Sequence, residues 1–454
     1  MHIYLRRAVL GSAAALLCLT ACGGVGGGND DDEAADDGAP TGGTLETMGL
    51  TLGDEVAQVR HDMAVEAISP FEVQVIEGGF DQQQFLSAIN SDNPPDMVTM
   101  DRQLVGTFAA RGALMPLTDC VENAEVDMEQ FREPAVAEVT LDDTLYGLPE
   151  FYNNRVMLIN NAVLEEAGLT PDDVDTSDWA GLSDVATATA VVDGATVTRI
   201  GFDPKIPEFL PLWAKANGVD ILSEDGSEAN LDDPAVVEAL EYTVSLIEAQ
   251  GGWGAFKSFR DSWDFFGAEN QFASNQLGAF PMEDWYLNVL NENSPDVALT
   301  AKPFLGVDGQ PVDFVTGAAW VIPTGSDFPE QACEYITTMT SSDAWIAAAQ
   351  ARAEAREAEG LFFTGVYTGN SVADETIFGE LVRLDEGTYG PAVQAVLDAQ
   401  EAAFSLPSSR ASAEFQTAWQ DAVNRVLAGD QEPAEALAQA QTEAQEALDA
   451  AAEG

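Results

Sequence analysis

The chain has 454 residues, enough for two ordinary domains, and its 78 Asp and Glu against 18 Lys and Arg give a formal net charge of −60. So acidic a surface excludes nucleic acid and anionic membrane as partners. It is read as the solvated face of a secreted protein from salty surroundings, where screening limits self-repulsion. With His2 and His61 its only histidines, neither a zinc centre nor a Ser-His-Asp triad is expected, and no metal or cofactor is assigned.

Residues 1–21 read as a signal peptide. Arg6 and Arg7 precede an apolar run from Ala8 to Leu19 that is too short to span a bilayer as a helix. Leu19-Thr20-Ala21-Cys22 ends that run in small residues and a cysteine, which resembles the bacterial lipobox, so Cys22 is expected to carry lipid. Residues 22–43 are mostly Gly, Asp, Glu and Ala with little to bury, and are expected to form an acidic, disordered tether. Membrane contact is therefore expected through the Cys22 lipid alone, with the folded body on the extracytoplasmic face. Cys120 and Cys333 remain as a candidate disulfide, with the bonded and free states both open at this level.

The body alternates strand and helix signals. "GGTLETMGLTL" gives a short strand, and Asp54–Ala67 carries Val56, Val59, Met63 and Ala67 at helical spacing. "PFEVQVIEG" has strand rhythm, Asp81 with Gln84 marks a helix start, and "PPDMVTMD" is a further strand. This alternation predicts an α/β domain on a mainly parallel sheet. Later helices are expected at Asp233–Gln250, opened by Asp233-Pro234 and stopped by Gly251-Gly252, and at Pro329–Thr340. The C-terminal stretch reads as two helices split at Ala428-Gly429-Asp430. No P-loop, dinucleotide-binding glycine motif, metal-ligand spacing or calcium loop occurs. In a chain this acidic, any Asp/Glu pair carries little weight for a glycosidase.

Several blocks occur in a familiar order: "GGTLETMGL", "NPPDMVTMDRQLVGTFAARGALMPL", "LYGLPEFYNNRVMLINNAVLEEAGL", "FASNQLGAFPMEDW" and "FVTGAAWVIPTGSDFPEQACEYITTMTSSDAW". Together they resemble the family 1 extracellular solute-binding proteins of ABC importers, the maltodextrin-binding type. The resemblance implies an α/β, two-lobe periplasmic-binding-protein-like fold of type II, its lobes joined by a multi-strand hinge. Residues 44–149 and 307–349 would form the first lobe, and 150–306 and 350–454 the second. It further implies a sugar or oligosaccharide ligand, the importer's permease subunits as partners, and no chemistry on the ligand. The same fold holding a polyamine or another small polar solute is the nearest alternative, and a lipid-anchored secreted glycosidase is the alternative of a different class.

A sugar needs aromatic faces for its apolar side and polar groups for its hydroxyls. Asp101 and Arg102 end the "PDMVTM" strand, Phe151, Tyr152 and Asn153 occupy the first crossing, and Glu283, Asp284 and Trp285 follow "AFPM". These eight residues and Trp320 form the expected ligand set, although Trp320 also suits a buried strand. Trp253, Trp263 and Phe415 are weaker additions, and Trp179 is read as structural.

Overall fold

Capping chemistry places many of the elements. The computed structural model describes residues 42–76 and 78–453; the expected signal peptide, Cys22 and the tether as far as Thr41 lie outside them. Asp54, Asp81 and Asp233 each accept a main-chain N–H in the first turn of the helices Glu55–Ala67, Gln82–Asn90 and Pro234–Ala249. Gly251 and Gly252, at φ +109° and +78°, end the last of these. Asn160 caps the helix Asn161–Glu166, and Ala428–Glu432 separates Ser412–Leu427 from Pro433–Glu453.

Ten strands build two five-stranded sheets. They are β1 (Thr44–Met48), β2 (Glu72–Ile76), β3 (Met97–Asp101), β4 (Leu148–Pro149) and β5 (Arg155–Asn160), then β6 (Val191–Asp193), β7 (Thr196–Phe202), β8 (Leu277–Glu283), β9 (Leu299–Pro303) and β10 (Ala318–Val321). The first sheet runs β2-β1-β3-β10-β4 and the second β9-β5-β8-β7-β6. The expectation of a mainly parallel sheet holds for the first sheet, where β10 alone runs against the other four strands, and is corrected for the second. β1, β2 and β3 are parallel, but β10 is antiparallel to β3 and to β4. In the second sheet only β7 and β8 are parallel.

Side-chain alternation then fixes the core. Ala319 and Val321 face Phe85 and Phe108 on one side of the first sheet. Trp320, between them, points the other way into Leu148, Tyr335 and Ile336 and has no exposed surface. Trp320 is therefore a core residue, and its assignment to the ligand set is withdrawn. The second sheet has its own larger core, built on Val156–Ile159, Phe202, Trp213 and Phe280. Cys120 and Cys333 are bonded, Cα to Cα 5.8 Å, and tie the short helix Thr118–Asn123 to Pro329–Met339. Among the described residues no helix is long and apolar enough to cross a membrane.

Candidate functional site

Three chain segments run side by side between the two sheets. The first, Glu150–Asn154, joins β4 to β5. Its Glu150 N donates to Ala318 O at 2.9 Å, Asn153 N to Thr316 O at 2.9 Å, and Tyr152 N to Tyr367 O at 3.1 Å. Segments near 316–318 and 367–369 thus flank it, giving a hinge of three paired strands. Gly317 sits at φ +154°, where a Cβ would strike the Phe151 carbonyl oxygen and Arg102 Nη1. Only glycine lets these segments approach so closely.

Buried ion pairs brace the hinge. Arg60 Nη2 donates to Glu150 Oε1 at 2.9 Å, and Thr99 Oγ1 donates to the other Glu150 oxygen at 3.0 Å. The Arg60 guanidinium lies 3.6 Å from the Trp345 ring centroid, and Phe151 packs edge-on against the same ring at 5.2 Å. Arg102 pairs with Glu138 at 2.7 Å and donates to the Phe151 carbonyl. Arg132 pairs with Asp374 at 2.7 Å. Burial pushes Glu138 up to about 7 against the pull of Arg102, and Asp374 up to about 6.

Arg155 opens β5 and organises the cleft end of the second sheet. Its Nη1 donates to the carbonyls of Asn153 (2.9 Å) and Phe314 (2.7 Å), and its Nη2 to Thr316 Oγ1 (2.9 Å) and Glu283 Oε1 (3.3 Å). Its own N–H donates to Asp313 Oδ1 at 2.7 Å, and burial raises Asp313 to about 7. Asp284 accepts from both Asn154 N and Asn154 Nδ2 at 2.7 Å, and burial holds it well above the usual carboxylate range.

These contacts redistribute the expected ligand set. Arg102 has no exposed surface; its Nε pairs with Glu138 and its Nη1 donates to the Phe151 carbonyl, which braces the hinge, while its Nη2 has no hydrogen-bond partner. Tyr152 is 1% exposed and lies between the guanidiniums of Arg102 and Arg132, at 5.7 and 5.2 Å. Asp284 is 2% exposed and fixes Asn154. Phe415 is 1% exposed in the core under Ser412–Leu427. All four are almost wholly buried, and Phe415 also lines a small cavity with Gln103, Glu138, Leu222 and Gln416.

The remaining residues do meet solvent. Asp101 caps the helix Arg102–Ala110 by accepting from Gln103 N at 3.2 Å. Its side chain is exposed, yet burial raises its pKa while Arg102 and Arg155 pull the other way. Both observations fit a carboxylate reached by solvent but standing in a concavity close to Arg155. Asn153, Glu283 and Trp285 are half-buried, and Phe151 is half-buried against the hinge. Trp285 leads into the helix Tyr286–Asn293, and its aromatic neighbours are Phe265, Phe266 and Tyr286. Trp253 and Trp263 are half-buried, the first under Arg260 and the second edge-on to Phe259.

Sequence reasoning passed over Arg155, Glu138, Asp313 and Phe266. An arginine heading the otherwise apolar run "RVMLI" was the one available signal. No cluster of His, Cys, Asp and Glu able to hold a metal ion occurs among the described residues.

The model for the family described as bacterial extracellular solute-binding protein matches residues 64–355. The arabinooligosaccharide-binding protein of Bacillus subtilis (strain 168) is 23% identical over 262 residues, which is 57% of this chain and 58% of that relative's own length. Among solved structures, CpMnBP1 with mannotriose bound is similar at a TM-score of 0.71 and 22% identity, covering 88% of this chain and 99% of the other. The maltose/maltodextrin-binding domain from Bdellovibrio bacteriovorus bound to maltotriose gives 0.68 and 18%, covering 89% and 100%. These likenesses establish the two-lobe fold of the maltose-binding type.

Proposed function

The chain belongs to the bacterial extracellular solute-binding protein family, and on that premise we propose that it captures a sugar or oligosaccharide between its lobes and delivers it to the permease of an ABC importer. The observation that carries this reading is the half-exposed Trp285 beside Glu283, at the cleft end of β8, with the exposed Asp101 near Arg155. An indole face takes the apolar side of a pyranose, and Asp101, Asn153 and Glu283 offer acceptors and donors for its hydroxyls. Ligand contacts to both lobes supply the free energy of closure, with the hinge bending between two positions.

The expected division is residues 44–149 with 307–349 and 150–306 with 350–454; β9 in the second sheet and β10 in the first support a crossing between them, but 307–315 bonds to Ala216, Phe304 and Phe404, which favours a crossing near residue 316. The protein acts by binding and returns the solute unchanged. It works on the extracytoplasmic face, led there by residues 1–21 and held by lipid on Cys22 through the acidic tether, a reading supported by Leu19-Thr20-Ala21-Cys22. A thermal-shift screen in molar salt tests the proposal, with manno-, malto- and arabino-oligosaccharides and their monosaccharides. A ligand at a hundred times its Kd adds about 2.7 kcal/mol to stability and raises Tm accordingly. Chromatography should recover the sugar intact. Turnover, or no shift with any sugar, would contradict the reading.

A further inference from the structure

Beyond the hinge, the two cores meet again along one short stretch. Residues 405–416 lead into the helix Ser412–Leu427, whose Phe415, Ala418 and Trp419 belong to the core of the second sheet. Facing them is the helix Arg102–Ala110, whose Val105, Phe108 and Ala109 belong to the core of the first. Ala413 N donates to Thr107 Oγ1 at 3.0 Å, Gln416 Nε2 to Gln103 Oε1 at 3.1 Å, and Ser405 Oγ to Pro134 O at 2.9 Å. Two ion pairs flank these bonds in opposite senses. Arg111 of the first lobe reaches Glu414, and Arg410 of the second reaches Asp142. Gly106 permits the close approach, since a Cβ there would strike the Ser409 carbonyl oxygen and Ser408 Oγ.

This contact is not built as a permanent core. Gln103 Nε2, Glu138 Oε1 and Ser408 Oγ are buried without a hydrogen-bond partner, and their residues line one small cavity with Phe415. Buried polar groups in a finished interior are nearly always bonded, and water would satisfy all three if the surfaces parted. Both ion pairs are two-fifths or more exposed, and pairs of that kind hold weakly. With 78 acidic residues against 18 basic, closing a cleft sets like charges against each other. An arginine on each lip offsets that repulsion locally.

We infer that residues 405–416 are a clasp that fastens one lobe to the other by direct contact and lets go as the hinge opens. Part of the unliganded population is then already closed. The inference rests on the hinge motion proposed above and adds to it a contribution that needs no ligand. A ligand draws on this pre-closed population, and loosening the clasp weakens its apparent affinity by the fraction lost.

Small-angle X-ray scattering of the unliganded protein, paired with hydrogen exchange over residues 405–416, provides the test. The variants are Gly106→Leu, Arg111→Glu, and Arg111→Glu combined with Glu414→Arg. Gly106→Leu wedges the surfaces apart, so the radius of gyration should rise and a peptide covering Ala413 should lose about tenfold in protection. Arg111→Glu should move both readouts the same way by less, and the swap with Glu414→Arg should return them towards wild type. Arg111 is exposed, so its variants keep the test decisive if Gly106→Leu fails to fold. Scattering and exchange unchanged by Arg111→Glu, or changed equally in the swap, overturn the clasp. The carbohydrate reading then still stands if a saccharide of the thermal-shift screen raises Tm, and falls as well if none does.

Discussion

The hinge and the small aromatic shelf of Phe266 and Trp285 follow opposite rules. In the hinge, Arg60, Arg102, Arg132 and Arg155 each meet a carboxylate, and most of these groups are shut away from water. On the shelf, Trp285 and Phe266 keep apolar faces in water, and Asp101 stands in a concavity without a salt bridge among the described residues. Charged residues clustered at a crossing therefore mark the mechanical part of such a molecule, and unfinished surfaces mark the part that meets a ligand. Residue type alone does not separate the two; burial does.

Perturbing each region should give separable results. The largest effect is expected from Glu138→Leu, which leaves the Arg102 guanidinium buried and unpaired, since arginine does not shed its charge. A loss of about 3–5 kcal/mol should appear in urea unfolding. A loss under 1 kcal/mol would mean that water or another acid takes over from Glu138. Next is the double change Cys120→Ser and Cys333→Ser, which releases the bond across a sequence separation of 213 and should cost about 2–5 kcal/mol. Because the bridge joins helices behind the first sheet, sugar affinity should stay within about twofold of wild type; a larger change would tie those helices to the cleft.

Trp285→Ala should do the reverse, weakening sugar binding by about 1–3 kcal/mol while the unfolding midpoint moves less than in either hinge or disulfide variants. Unchanged calorimetric affinity in that variant would remove Trp285 from the site. The smallest effect is expected from one unit of pH. Glu138 and Asp313 are raised to about 7 in the folded chain, above their ordinary values. The folded state therefore holds protons that the unfolded state gives up, and the stability from this source is complete below about 4 and lost as pH rises through about 7. Each group contributes at most about 1.4 kcal/mol per pH unit within that window. Tm should fall between pH 5 and pH 8, and the fall should persist in molar salt, which screens surface repulsion but not buried groups. A slope that vanishes in salt would assign the effect to the acidic surface instead.

Local structure was legible in the sequence because it is set by neighbours. Asp81 and Asp233 cap helices as their positions suggest, and Gly251-Gly252 and the break near Gly429 end or separate helices. The two-lobe fold came through the order of family blocks. Strand direction did not, because β10 joins β3 from more than 200 residues away and nothing local announces an antiparallel entry. The same distance hid the fate of Trp320, which alternation turns towards Tyr335. At the candidate site, Asp101, Glu283 and Trp285 stand at or just after strand ends, as their sequence positions suggest, and all three reach solvent. The burial of Arg102, Tyr152 and Asp284 was not legible, because Glu138, Arg132 and Asn154, which pack on or bond to them, lie on other elements. Phe266 was overlooked because its exposure depends on the loop conformation, where the Tyr286 hydroxyl donates to the Phe265 carbonyl.

The central claim is that a sugar stacks on Trp285 and touches the first lobe near Asp101. The crystal structure of the protein with the saccharide that raises Tm most tests it directly. The account predicts a pyranose face on the Trp285 indole, with a hydroxyl within hydrogen-bonding distance of the Asp101 carboxylate. A saccharide bound elsewhere, with Trp285 and Asp101 still open to water, would contradict it.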